Sequence, residues 1–432
     1  MRVLLLGSGG REHALAVSLV ADPTVTELVG VPGNPGIASL DETGTTTVRM
    51  LPGDITDPDT VAAIATEISA DLVVVGPELP LVAGVADALR AKGLACFGPS
   101  RAAAALEGSK AFAKDVMAAA GVPTAGARLC ASPAELTSAL EEFGAPYVVK
   151  NDGLAAGKGV LVTSDRDAAL AHGAACGRVL VEEYLAGPEV SLFVVTDGVC
   201  AVPLMPAQDF KRVGDGDTGG NTGGMGAYAP LPWAPATLVN DVMAGVVRPT
   251  LAEMDRRGTP FAGLLYVGLV LTAQGPKVIE FNCRFGDPET QVVLALLRSP
   301  LAGLLHAAAT GRLAEHPPLD WHRGAAVTVV LAAAGYPGTP RRGDPITGAD
   351  GVPGVLHAGT ARGTADVPTG AAGAGRAPLV SAGGRVLCAT AVDTTLAGAR
   401  DAAYRLIDGI HLDGAHYRRD IADAAIRGAI ST

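Results

Sequence analysis

The chain predicts a multidomain α/β protein: a doubly wound parallel sheet at the N-terminus, a mixed central domain and a C-terminal α+β domain. Three observations carry this. Short apolar runs at 2–6, 25–31, 72–75 and 94–97 alternate with helical patterns at Arg11–Ala21, Thr60–Ala70 and Val82–Ala91, and such alternation builds a parallel sheet. At 432 residues the chain exceeds what one hydrophobic core serves, so two to four domains are expected. Pro317-Pro318 then separates the helical centre from turn-rich strands. The borders fall at 1–103, 104–316 and 317–432.

Composition narrows the function classes. Charged residues are 18% and hydrophobic ones 48%, the profile of a packed domain and not of a disordered one. A net charge of −11 gives no overall attraction to nucleic acid or anionic membrane, so any phosphate must be held by local basic groups and backbone amides. The six cysteines contain no C-x-x-C pair, which points away from zinc and disulfides and fits a reducing cytoplasm. Val3-Leu-Leu-Leu6 is too short for a signal peptide, and Gly324–Gly335, the longest apolar candidate, reads as a buried strand and not a membrane span.

In a doubly wound sheet, ligands gather at the carboxyl ends of the strands. Those ends carry Gly7-Ser-Gly-Gly-Arg-Glu-His13, Pro32-Gly-Asn-Pro-Gly36 and Gly76-Pro-Glu78. Gly7-x-Gly9 invites a dinucleotide fingerprint, but Glu12 stands where its third glycine belongs, and the second strand ends in Val-Pro-Gly-Asn34 instead of an acid. A small phosphate on the helix N-terminus is the better reading; glycines needed only for a tight turn are the alternative.

Ser100 to Lys114 is an Ala-rich connector broken at Gly108-Ser-Lys110. Strands are predicted near 126–130, 146–150, 160–163, 178–184 and 189–196, with helices at 133–143 and 165–174. Between two of these strands lies Lys150-Asn-Asp-Gly-Leu-Ala-Ala-Gly-Lys-Gly159, glycine-rich but without Walker spacing. Residues 208–230 read as a long Gly-rich loop, which inside a compact domain is functional or disordered; Asp209, Lys211 and Arg212 favour function. A helix at 238–257, paired strands at 262–273 and 276–283, and helices at 289–298 and 301–310 complete the centre. Strands near 325–333, 352–359 and 384–391 and a helix at 396–408 form the C-terminal domain, which shows no obvious chemistry.

The stretch richest in chemistry is Lys277–Gln291. Strand alternation puts Glu280, Asn282 and Arg284 on one face and Ile279, Phe281 and Cys283 on the other, core-facing one. A carboxylate and an amide oxygen two residues apart are hard donors suited to share a Mg²⁺ with phosphate and water; the plain alternative is a polar strand face meeting solvent. The Arg284 guanidinium suits a carboxylate or a phosphate. Asp287-Pro288-Glu289 reads as a helix cap with Pro at the first helical position, alongside any substrate contact.

The run Val278–Gln291, with Asn221-Thr-Gly-Gly-Met-Gly-Ala-Tyr228 and Gly7–His13, resembles the phosphoribosylamine–glycine ligases (glycinamide ribonucleotide synthetases) of the ATP-grasp superfamily, and the likeness extends from Met1 to about residue 425. It implies a central ATP-grasp domain whose mobile lid spans about 124–186. It implies ATP held by Lys110 and Lys150, by Gly157, Lys158 and Gly159 of the lid, by the hinge strand Glu182-Glu-Tyr-Leu185 (Glu182, Glu183, Tyr184, Leu185), and by Glu189 at the ribose. Glu280 and Asn282 would hold Mg²⁺ or Mn²⁺. Phosphoribosylamine would meet Gly9, Gly10 and Arg11 through its phosphate, Asn34 and Glu78 through its ribose, and Asp287. Arg284 would take the glycine carboxylate, with Arg284, Lys158 and Asp209 as the catalytic set and Asp209 the candidate base. Phe210 departs from the histidine expected in many relatives. The implied reaction joins glycine to 5-phosphoribosylamine with ATP, through glycyl phosphate. The expected partners are these small molecules, with no nucleic acid and no membrane; the sequence leaves the oligomeric state open, with a monomer as the working expectation.

Overall fold

The computed structural model describes residues 1–42, 46–154, 159–363 and 377–431. Its N-terminal sheet is parallel throughout, in the order β3-β2-β1-β4-β5, with β1 at Arg2–Gly7, β2 at Glu27–Pro32, β3 at Thr47–Met50, β4 at Leu72–Val75 and β5 at Cys96–Phe97. Val3 to Leu6 are fully buried because helices cover both faces, which is why β1 reads as an unbroken apolar run. The strand missed in the sequence is β3. It sits at the sheet edge, where Thr47 and Arg49 face solvent, so its apolar signal is weak. The first helix, α1, spans Gly10–Val20.

Two antiparallel sheets make the central domain. One has the order Ala127–Cys130, Val179–Glu182, Tyr147–Asn151, Val160–Thr163, and encloses a small core of its own around Leu136, Leu140, Val149 and Val181. The other runs Ala201–Pro203, Glu189–Asp197, Ala262–Thr272, Gly275–Asn282. Ser109 caps the helix Lys110–Ala120 by accepting from the Phe112 N–H, so the break seen at Gly108-Ser-Lys110 is a helix start.

The stretch at 208–230 is not a loop. Gln208–Asp209 and Gly226–Ala229 are strands, and Arg212–Gly214 pairs with Thr218–Asn221 as a hairpin. The first two strands extend the sheet of the C-terminal region: Gly226–Ala229 pairs with Ala325–Ala332, which pairs with Arg385–Asp393 and through it with Val355–His357. A glycine-rich segment whose partners lie far downstream carries no periodic signal of its own. The sheet therefore crosses the border drawn at Pro317-Pro318, and the helix Leu396–Asp408 packs against it. No helix among the described residues is long and apolar enough to cross a membrane.

Candidate active site

A cavity of about 810 Å³ is lined by both central sheets, by Arg11, Pro77 and Glu78 of the N-terminal domain and by Arg385, Ala424, Ala425 and Ile430 of the C-terminal region. Of the residues singled out in the sequence, it is lined by Arg11, Glu78, Lys110, Lys150 and Gly159, by Glu182 to Leu185, and by Glu189, Asp209, Glu280, Asn282, Arg284 and Asp287. Gly157 and Lys158 lie outside the described residues.

The strand Gly275–Asn282 presents Glu280 and Asn282 to the cavity while Phe281 and Cys283 are buried behind it. Ile279 departs from the expected alternation. A β-bulge opposite Gly268/Leu269 leaves it half-buried on the cavity wall, and Val278 fills the core instead. The bulge also frees the Ile279 carbonyl, which accepts from Lys150 Nζ at 2.9 Å. Burial opposes ionisation of Glu280, but Lys211, Lys150, Lys110 and Arg284 together hold its carboxyl below the usual range. Neither the Glu280 carboxylate nor the Asn282 side-chain amide has a hydrogen-bond partner among the described residues. Such oxygens, one of them anionic with only Lys211 in ion-pair range at 3.7 Å, fit a hard divalent cation that takes its remaining ligands from phosphate and water.

The cations surround this pair. Lys150 is buried and bonded to Glu182 at 2.8 Å, and Lys110 donates to the Gly153 carbonyl at 2.9 Å. Burial lowers Lys110, with Glu280 opposing that shift. Lys114 shares Glu182, at 3.3 Å, and was missed in the sequence although it lies one helical turn from Lys110 on the same face. Glu182 is thus a buried carboxylate between two lysines, while the Tyr184 and Leu185 backbone N–H groups have no partner among the described residues. Lys211 reaches Glu189 at 2.7 Å and Glu280 at 3.7 Å. Beside it, burial pushes Asp209 up to about 8, with Glu289, Glu189 and Glu280 adding to the shift and Lys211 opposing it.

Arg284 is held between two carboxylates, Glu78 at 3.2 Å and Glu107 at 2.9 Å, and donates a third bond to the Phe285 carbonyl. Two of its five N–H donors remain for a ligand. Glu107, which also accepts from the Cys283 N–H and thiol, gave no sequence signal, because its partners come from a strand far downstream.

The N-terminal loop is packed by contacts of its own. Gly9 donates its amide to Glu12, and a Cβ at Gly7, Gly9 or Gly76 would lie within 2.7 Å of the Glu12 side chain; these glycines make room for a carboxylate, and the Gly9 amide is committed to it. Gly10 is buried, and a Cβ there would meet Gln291 Nε2 at 2.8 Å and Cys388 Sγ at 3.1 Å, so it is a packing glycine between α1 and its neighbours. Asn34 caps a short helix through the Ile37 N–H and donates to the carbonyls of Ser8 and His357, so both hydrogens of its side-chain amide are committed within the protein. Arg11 alone of the expected phosphate set lines the cavity, bonded to Glu12 and the Phe285 carbonyl.

Asp287 is not a helix cap. The helix Glu289–Leu296 starts beyond it, and its carboxylate accepts from Gln291 at 2.8 Å and faces Arg385 at 3.3 Å. Arg385 comes from the C-terminal region, and it also donates to the carbonyls of Gly223 and Asp287. The Gly383-Gly-Arg385 turn was the available signal for it.

Three family descriptions match the chain in succession: phosphoribosylglycinamide synthetase, N domain, over residues 1–107; its ATP-grasp (A) domain over 108–290; and its C domain over 326–424. A phosphoribosylamine–glycine ligase of Streptomyces coelicolor is 60% identical, over 98% of this chain and 99% of that one. The crystal structure of phosphoribosylamine–glycine ligase from Thermotoga maritima superposes with a TM-score of 0.81 at 33% identity, covering 98% of this chain and 100% of the other. The biotin carboxylase domain of Hydrogenobacter thermophilus 2-oxoglutarate carboxylase, solved with MgADP and bicarbonate, reaches a TM-score of 0.67 at 16% identity over 96% and 91% of the two chains, a likeness of fold alone.

Proposed function

Because this chain belongs to the phosphoribosylglycinamide synthetase family and ligates glycine to phosphoribosylamine in purine biosynthesis, we propose how its residues divide that work. The observation that carries the reading is the convergence, in one cavity, of Lys110 and Lys150, of the Glu280–Asn282 pair and of Arg284. The adenine edge would lie on the free backbone of Tyr184 and Leu185, and Glu189 would accept from the ribose. Lys110 and Lys150 neutralise phosphate oxygens, joined by Gly157, Lys158 and Gly159 of the lid. Such neutralisation is most of what phosphoryl transfer asks of a protein.

The reaction uses ATP with a divalent metal, and we assign Mg²⁺ or Mn²⁺ to Glu280 and Asn282. When bound, the ion supplies charge neutralisation at the phosphates. Arg284 orients glycine so that its carboxylate attacks the γ-phosphoryl, giving glycyl phosphate and ADP. The amine of phosphoribosylamine, brought in beside Arg11, Glu78 and Asp287, then displaces phosphate. That amine must lose a proton, and Asp209, held near neutrality, is the candidate acceptor. We assign the enzyme to the cytoplasm as a monomer, which gel filtration tests. ADP release with each substrate omitted in turn tests the reaction: it should need all three, and release without phosphoribosylamine at the full rate would replace the ligase with a glycine-stimulated ATPase.

A further inference from the structure

The largest side chain buried to 1% exposure or less belongs to a charged residue of the C-terminal region, Arg418. Its guanidinium takes Asp420 with two bonds, at 2.7 and 2.6 Å, and reaches Asp217 at 2.6 Å. It donates to the Arg212 carbonyl at 3.2 Å and lies 4.8 Å over the ring of Phe210. A fully desolvated guanidinium is costly unless its donors are met, and here five contacts meet it, three of them from the segment 208–226.

Those three contacts bracket one residue. Phe210 and Arg212 flank Lys211, the one cation in ion-pair contact with Glu280 among the described residues. The Lys211 carbonyl is fixed as well, accepting from the Thr222 N–H at 2.8 Å and its hydroxyl at 2.9 Å. Asp420 extends the grip by accepting from the Gly216 N–H at 2.8 Å, and Asn221, at the end of the hairpin, donates to the Val160 carbonyl of the lid sheet at 3.0 Å. Just past Arg418, Ala424, Ala425 and Ile430 line the cavity itself.

We propose that Arg418 is a positioning residue: through Phe210, Arg212 and Asp217 it holds Lys211 against Glu189 and Glu280, so that the C-terminal region builds the nucleotide end of the active site. The segment's glycines give it no rigidity of their own, and the rigidity comes from a buried cation on another part of the chain. This rests on the assignment of ATP and metal to the cavity. The control is therefore Glu280→Gln in the same nucleotide titration, which leaves the Mg²⁺-dependent affinity unchanged if that assignment is wrong, whatever Arg418 does.

The test is Arg418→Lys, which keeps the charge and loses the planar fork and the stacking. Binding of adenylyl imidodiphosphate with Mg²⁺, measured by calorimetry, should weaken about tenfold, the equivalent of one charge-assisted hydrogen bond. Binding of glycinamide ribonucleotide should stay within about twofold, since its contacts lie at the N-terminal end. Asp217→Asn keeps the Asp420 pair and so avoids an unpaired buried cation; it should weaken the nucleotide analogue about threefold with the melting temperature within about 2 °C of the parent. A folded Arg418→Lys with the parent's nucleotide affinity would overturn the proposal, as would equal loss of both ligands in step with melting temperature. If Arg418→Lys does not fold, Asp217→Asn decides alone, and parental affinity there is the overturning result.

Discussion

Lys277–Gln291 and Gln208–Tyr228 line the same cavity, yet they are built on opposite principles. The first is a strand, a turn and a helix whose alternation already places Glu280, Asn282 and Arg284 together, and whose buried side, Val278, Phe281 and Cys283, anchors it locally. The second has almost no apolar periodicity and is shaped from outside, by pairing with Ala325–Ala332 and by Arg385 and Arg418. On the proposed reading, the nucleotide site thus combines a locally anchored half with a half whose order depends on distant contacts. Substitutions in the first should alter chemistry with little loss of stability; those in the second should act through order and be graded.

The largest effect is expected at Glu280. Glu280→Gln keeps the shape and removes the anionic donor, so turnover should fall about 10²–10³-fold, with partial recovery at high Mg²⁺ and an unchanged melting curve. Near-parental turnover at ordinary Mg²⁺ would make Glu280 an ordinary strand residue and would break the contrast between the two halves.

Next comes Arg284→Lys. The ammonium cannot reach Glu78 and Glu107 and still offer a fork, so the glycine requirement should rise about 10- to 100-fold while that for ATP moves little. Equal rises for both substrates, in steady-state titrations, would move Arg284 to the phosphates.

On the other half, Phe210→Leu removes the ring beneath Arg418 and leaves the hydrogen bonds. Loss of one partly buried cation–π contact should raise the KM for ATP about three- to tenfold. A kcat loss as large as that of Glu280→Gln would mean that the ring takes part in the chemistry and that the segment is more than a held support.

The last effect is nil at pH 7 and grows only in acid, and it concerns the seam between the C-terminal region and the N-terminal domain. The His357 N–H donates to His13 Nδ1 at 2.7 Å, and burial lowers His13 to about 3, with His357 adding to the shift, and His357 to about 4. Both folded values lie below the unfolded 6.5, so the unfolded chain takes up protons that the folded one refuses. Stability should therefore be whole above pH 6.5 and fall by about 1.4 kcal/mol per histidine for each pH unit toward 4. Melting temperatures between pH 7 and 4.5 check this. Nucleotide affinity should loosen along with them if the C-terminal region orders the 208–226 segment, and a flat profile would uncouple the two.

Much of the fold was legible in the sequence because its determinants are local. The apolar runs of β1, β2 and β4, the helices at 133–143 and 396–408, and the strand ending in Glu280-Phe-Asn282 all announce themselves within a few residues. So do the paired carboxylate and amide and the lysine at 150. What the sequence could not decide is where a polar side chain finds its partner. Gly10 and Asn34 read as part of a phosphate and ribose cradle, and only tertiary packing set Gln291 against the one and the His357 carbonyl against the other, whereas the Gly9–Glu12 bond is a capping contact within the first turn of α1. Asp287 read as a cap until Arg385 arrived beside it, and Glu107 and Lys211 gained their places from strands brought in across the fold. The physical reason is range. Backbone periodicity and capping act within a turn or a strand, whereas desolvating a charge obliges it to find a counter-charge wherever the fold supplies one.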